Sequence, residues 1–436
     1  MGVSRFIRAL IVAAAGTLVA SSVGTAAPAT PLVIDDSQLQ ASTTTLGGAS
    51  PLDTTKTVQH WFGQTVNGHN GITYGYNMVG ADPSGGGSAT IEVDVTPLIV
   101  NIQGQTFSGN DVLAATLASP QFALNTYGKT PAATVPGCPS CTSPTRLIEG
   151  PGGTLSQLDA KNQLQLEDAT MRAQFNQTGS STYHLLLHTN VLPAVTLNVP
   201  SGAGVLAASG RGVVFADISI DWWATQIENL MQTADPTHLP LYLTNNVLLH
   251  FGPNPSSCCV IGFHGAAEVL GQGTGSVNGN ANQAVQTFAW ASWVQPGLYA
   301  RPNGGTDWAL QDIHALSHEI SEWADDPFTN NQVEPWLTPT APQYGCTGLM
   351  ETGDPVVAIG FAKGTNSFEQ GPNPNGTQSA DGFYHPEDEA FLPWFMRTAP
   401  NTVSEPTQTA SPNIGRYTLM GDLNPFPGFR QPATGC

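Results

Sequence analysis

Between Asp307 and Pro327, apolar residues recur at every third or fourth position. On a helical wheel of roughly 100° per residue with Leu310 at zero, Leu310, Ile313, Leu316, Ile320 and Trp323 fall between about 220° and 360°. His314, Asp325, His318, Gln311 and Glu322 fall between about 40° and 120° on the same wheel. The pattern predicts an amphipathic helix over 308–326, with a buried apolar face and a polar stripe opposite. Pro327 sets its end, because proline disfavours helical geometry in the residue before it. A helix over 219–232, with Asp221 near its start, and a more polar one over 155–175 follow from the same reading.

A two-residue alternation of apolar and polar side chains marks strands over 89–95 and 98–102, after a turn at Gly85-Gly86-Gly87. Further strands are predicted over 183–188, 194–199, 212–218, 239–250 and 285–294. The tryptophans, among them Trp223, Trp290, Trp323 and Trp336, are assigned to core and cleft packing. Gly (47 residues) and Pro (34) lie between these short runs rather than in one linker, which points to loop-rich β structure. The expected fold is α+β. A β-rich N-terminal domain over 30–153 ends in a Pro/Gly/Cys loop. A mixed-sheet domain over 154–436 has 219–232 as a backing helix, 308–326 as the floor of a cleft, and a loop-rich C-terminal part.

The first 29 residues read differently. Arg5 and Arg8 precede an apolar run over 9–20, followed by small residues with cleavage points between Gly24 and Ala29. A run of about 12 residues is short of the roughly 20 that span a bilayer, so 1–29 is expected to be a secretory signal peptide, without a membrane span. The expected destination is extracellular or periplasmic. Six cysteines suit that oxidising setting. A local Cys138–Cys141 disulfide is expected, and a bridge from Cys258 or Cys259 to Cys346, since adjacent cysteines pair only through a strained ring.

Charge narrows the partners. Only 10% of the 436 residues are charged, 13 basic against 32 acidic, for a net charge of −19. That balance opposes binding to nucleic acid, whose phosphates need a basic footprint, and leaves cations and metal ions. Several of these scarce acids gather on and after the 308–326 helix. Glu322, Asp325 and Asp326 crowd its C-terminal end, where the helix dipole favours positive charge.

His318 and Glu322 are four residues apart, which stacks their side chains one turn apart within reach of one metal ion. Glu319 follows His318, in the place of a general base acting on water. His314 extends the stripe but sits about 12 Å along the axis from Glu322, at roughly 1.5 Å per residue. The third-ligand candidates are Glu351, then Asp354, then His385. Zn²⁺ is the expected ion, with Mn²⁺ and Ca²⁺ left open by a carboxylate-rich set. A His–Glu helix-surface ion pair is the bland alternative. His264 is assigned a structural role beside the cysteines, and His184 and His188 the polar face of a strand.

The His318-Glu319-Ile320-Ser321-Glu322 segment resembles the His-Glu-x-x-His motif of zincin metallopeptidases, with Glu322 in place of the second histidine. Together with Asp326-Pro327, Trp336, Glu351-Thr352-Gly353-Asp354 and the preceding Cys258-Cys259, Gly262 and His264, it also resembles plant phosphate-induced, EXORDIUM-like secreted proteins and exported bacterial proteins. That likeness covers 239–360. Plant members carry a cysteine after the Gly-Asp pair, where this chain has Pro355. The zincin resemblance implies a metal-dependent hydrolase, a peptidase above all, acting on a peptide or extracellular polymer. The EXORDIUM-like resemblance implies an extracellular or cell-wall context. The alternative is a non-catalytic extracellular binding or structural protein on a zincin-like scaffold.

Overall fold

The computed structural model describes residues 10–13, 56–126, 163–177, 181–210, 212–270, 283–299, 310–338, 346–357, 359–361, 363–367, 382–399, 417–419 and 436. In chain order the first elements are β1 (Leu10–Ala13), β2 (His60–Val66), β3 (Thr73–Val79), β4 (Ser88–Ile102), β5 (Gln105–Ser108) and α1 (Asn110–Leu117). Then come β6 (Asn125–Thr126), β7 (Gln163–Leu164), α2 (Leu166–Gln174), β8 (His184–Val191), β9 (Val195–Asn198), β10 (Gly204–Ala208) and β11 (Val214–Ser219). The sheet is completed around α3 (Ile220–Met231) by β12 (Leu239–Asn245), β13 (Val247–His250), β14 (Cys258–Leu270) and β15 (Gln283–Trp293). The rest is α4 (His314–Asp325), β16 (Gln332–Leu337), β17 (Cys346–Leu349), β18 (Lys363–Thr365), β19 (Phe383–Tyr384) and α5 (Leu392–Phe395).

The fold is α+β, built on a mixed sheet of eleven strands in the order β10-β11-β13-β14-β15-β12-β4-β5, with β1 beside β14 and both β8 and β9 beside β4. Strands from both expected domains, 30–153 and 154–436, thus share one sheet. β4 joins the two strands expected over 89–95 and 98–102, running through Pro97, which lies opposite Leu243 of β12. Over its first half Ala89, Ile91, Val93 and Val95 are buried in alternation, and from Val95 to Leu98 every position is buried. Leu10 and Ile11, inside the expected leader, lie opposite His264 and Phe263.

The strand expected over 239–250 is two strands. Asn246 between them takes a left-handed backbone (φ 51°), a conformation that asparagine tolerates better than most residues. Its N–H donates to Trp293 O, its Oδ1 accepts from Gln295 N, and its carbonyl accepts from Ala216 N. The chain thereby passes from pairing with β4 and β15 to pairing with β11 and β14.

Apolar cores fill both faces of the sheet. On one, Trp223, Ile227 and Met231 of α3 pack with Tyr242, Phe263, Phe288 and Trp290, so 219–232 backs the sheet as expected. On the other, Leu316, Ile320 and Trp323 of α4 join Ile261, Ala289, Ala291 and Trp293. In the region expected to be helical over 155–175, the described helix is α2 alone, because Gln163–Leu164 pairs as a strand with Asn125–Thr126; 155–162 lie outside the described residues. No described helix is long and apolar enough to cross a membrane.

The disulfides correct one expectation. Cys346 pairs with Cys436, at a Cα separation of 6.1 Å, and Cys258 pairs with Cys259, so the expected bridge from that pair to Cys346 does not form. Cys138 and Cys141 lie outside the described residues.

Candidate metal centre

α4 begins at His314, later than its periodicity suggests. Asp312 has a left-handed backbone (φ 44°), and its N–H donates to Val294 O, which ties it to the end of β15 instead of a helical turn. Its carboxylate accepts the N–H groups of Ile313 and His385 and lies 2.6 Å from Nδ1 of His385. His385, the third-ranked ligand candidate, is therefore engaged by Asp312.

From His314 to Asp325 every residue of α4 is buried. The apolar face lies on β14 and β15, where Trp323 Nε1 donates to Thr287 Oγ1 at 3.0 Å. The polar stripe is buried as well, which amphipathicity alone does not predict. Residues 351–354 and 385–390 cover it: Glu387 N donates to Ser317 Oγ, and Ala390 N to Thr352 O.

His318 sits at the centre of this covered face. Its Nδ1 is 2.6 Å from Glu387 Oε2, and its Nε2 is 3.0 Å from Glu322 Oε1 and 3.9 Å from Asp354 Oδ1. Asp354 N donates to the same Glu322 oxygen at 3.2 Å. His318, Glu322 and Asp354 each offer one donor atom within 4.8 Å of the others. Gly353 allows this approach, since a Cβ there would collide with the His318 imidazole.

A second grouping shares Glu322. His264 of β14 places Nδ1 3.4 Å from Glu322 Oε2 and 3.5 Å from Glu319 Oε2, and these three residues also bring one donor atom each within 4.8 Å. Gly262 lies two residues earlier on the same face of β14. A Cβ there would stand 2.5 Å from Glu319 Oε1, so the glycine leaves room for that carboxylate against the strand. Glu351, ranked first as third ligand, lies 3.7 Å from His264 Nε2 and outside both groupings. His314 also lies outside them, with Nε2 3.2 Å from Glu387 Oε2. His184 meets Asp168, and His188 meets Glu92.

Burial makes the cluster electrostatically expensive. Desolvation lifts Glu319 to about 7 and Glu387 to about 8. It also lifts Glu351 and Asp354, and the charge of Glu322 pushes both further. Burial opposes ionisation of Glu322 too, but His318 and His264 hold it down at about 2. Burial would lower both imidazoles, yet the surrounding carboxylates drive His318 and His264 well above the ordinary range. Among the described residues, no lysine or arginine pairs with Glu319, Glu322, Glu351 or Asp354.

Hydrogen bonds do not relieve the cluster. His318 Nε2, both nitrogens of His264, both oxygens of Glu319 and Glu351, and Glu322 Oε2 are buried without a hydrogen bond. Buried polar atoms are rarely left so, and each costs about 1–3 kcal/mol, more when charged. Imidazole and carboxylate donors converging without partners are a set that a divalent cation satisfies.

No protein-family model, curated protein or solved structure matches this chain. Two residues escaped the sequence reading. His264 was assigned to structure, although its place two residues after Gly262 puts both on one strand face. Glu387 belongs to the acidic run Glu387-Asp388-Glu389 that follows His385, a visible cluster in a charge-poor chain, but nothing local links it to His318.

Proposed function

We propose that this protein is a metal-dependent hydrolase, a peptidase above all, in which His318, Glu322 and Asp354 hold a divalent cation and Glu319 is the general base. The observation that carries the reading is His318 Nε2. It is buried, makes no hydrogen bond, is aimed by Glu387 on the far side of the ring, and faces two carboxylates. A carboxylate on the remote nitrogen of a metal-binding histidine fixes its tautomer and raises its basicity. Asp354 takes the third place in preference to Glu351. Zn²⁺ suits this set, and its two carboxylates also suit Mn²⁺ or Ca²⁺.

When bound, such an ion polarises a carbonyl and eases the loss of a proton from water. The chain supplies the rest. Glu319, adjacent to His318 and without a hydrogen bond, takes the proton from the attacking water and passes it to the leaving group. Gly262 leaves the space in which its carboxylate sits. The apolar run after Arg5 and Arg8 and the EXORDIUM-like features support an exported protein acting on a peptide or extracellular polymer. Glu319→Gln is expected to lower kcat on a peptide substrate 10²- to 10⁴-fold with metal content unchanged. An active variant would sink the base assignment.

A second reading, a non-catalytic extracellular protein with a structural ion, is favoured by burial: His264, His318, Glu319 and Glu322 have no exposed side-chain surface, and Asp354 has 16%. It expects Glu319→Gln to leave function intact and His318→Ala to lower the melting temperature.

A further inference from the structure

The geometry points to a second cation site beside the first, formed by His264, Glu319 and Glu322, with the Glu322 carboxylate bridging the two. It deepens the metal-centre reading above and rests on it. The two oxygens of Glu322 face different groups. Oε1 lies 3.0 Å from His318 and accepts from Asp354 N, whereas Oε2 makes no hydrogen bond and lies 3.4 Å from His264 Nδ1. Glu319 Oε2 lies 3.5 Å from the same nitrogen.

His264 is the independent sign of a ligand. It is wholly buried, and neither ring nitrogen makes a hydrogen bond. The nearest oxygens stand off at the edge of hydrogen-bond distance or beyond it, Glu322 Oε2 and Glu319 Oε2 at 3.4 and 3.5 Å from Nδ1 and Glu351 Oε2 at 3.7 Å from Nε2. The surroundings repeat those of His318. In each ring one nitrogen faces Glu322, and the other faces a separate carboxylate, Glu387 for His318 and Glu351, at 3.7 Å, for His264. For His318, held by Glu387 at 2.6 Å, that is the outer-shell arrangement of a metal-binding histidine; for His264 the Glu351 oxygen stands on the same side of the ring but beyond hydrogen-bond distance.

The cluster is rich in negative groups and poor in positive ones. Glu319, Glu322, Glu351 and Asp354 are four carboxylates with no lysine or arginine partner among the described residues. A cation in each grouping gives these buried carboxylates a divalent partner where only histidines now face them. Paired ions in hydrolases lie roughly 3.5–4 Å apart, a span one carboxylate bridges. Filling the second site engages Glu319 and withdraws the general base, so metal beyond the first equivalent inhibits.

The test is a Mn²⁺ titration of the chelator-stripped full chain, followed by equilibrium dialysis and electron paramagnetic resonance. Wild type is expected to bind two Mn²⁺, the second more weakly, with an isolated-ion spectrum at one equivalent and an exchange-coupled one at two. His264→Gln is expected to bind one and show no coupling. Saturation of wild type at one ion, or coupled pairs in His264→Gln, would overturn the second site. Should the variant not fold, the wild-type spectrum decides alone: coupling supports the pair, and a sum of isolated bound and free Mn²⁺ refutes it. A wild type with two coupled ions and no hydrolytic activity would keep this site and defeat the hydrolase reading. A single ion, lost in His318→Ala, in a wild type that hydrolyses peptide would refute this site and keep that reading.

Discussion

Gly353 has an unremarkable backbone angle (φ −80°), so its lack of a side chain serves space rather than conformation. A methyl group there meets the ring of His318 nearest Nδ1, the atom that Glu387 holds at 2.6 Å. Gly353→Ala must push either the ring or the 351–354 segment away. It is expected to weaken Zn²⁺ binding 10- to 100-fold, the range seen when the outer shell of a metal site is disturbed. Calorimetric titration of the variant beside wild type checks this; unchanged affinity would mean that His318 is not a ligand. The Glu-Thr-Gly-Asp run is visible in the sequence, but the purpose of its glycine is not, because the ring it accommodates lies 35 residues away. Asp354 and Glu351 differ by three positions and are equally acidic, so only the fold decides which of them faces His318 and which faces His264.

At the scale of elements, local periodicity found the apolar face of α4, the backing helix α3 and most strands of the sheet. It did not reveal that the polar stripe of α4 is covered, since the covering segments at 351–354 and 385–390 carry no periodic signal. The single strand expected over 239–250 failed at Asn246, where one left-handed residue moves the chain between pairs of neighbours. β11 and β13 become parallel neighbours by that step, and Asp217 then lies 2.8 Å from His250. Burial, opposed by His250, lifts Asp217 to about 6. The folded chain thus keeps this proton in a range where the unfolded chain, with an ordinary value of 3.8, has released it. The resulting stability is full below that range and declines as pH rises from 3.8 towards 6, by roughly 3 kcal/mol. In Asp217→Asn the decline is expected to vanish, so the difference in melting temperature between wild type and variant should change across that window. A constant difference would contradict the buried, proton-holding carboxyl.

Across the whole molecule, the α+β class was legible in the mixture of strand and helix periods. The strand order was not, because pairings such as β4 with β12 and β8 join residues about 90 to 150 positions apart. The Cys346–Cys436 disulfide was missed for the same reason. It closes a loop of 90 residues that contains Glu351, Asp354 and Glu387. Cys346→Ser is expected to cost about 4–5 kcal/mol from loop-closure entropy and to lower the melting temperature accordingly; no change would place the bond outside the folded unit. Charge connects these scales. In a chain with only 10% charged residues, several of the acids are spent in one buried cluster around His264 and His318. The most direct test of that cluster is the metal content of the protein as purified, beside His318→Ala and Glu322→Ala. Stoichiometric divalent metal in wild type, reduced by one equivalent in His318→Ala and to traces in Glu322→Ala, is the predicted result. A wild type free of metal after equilibration with Zn²⁺, or variants that retain the full complement, would contradict the account.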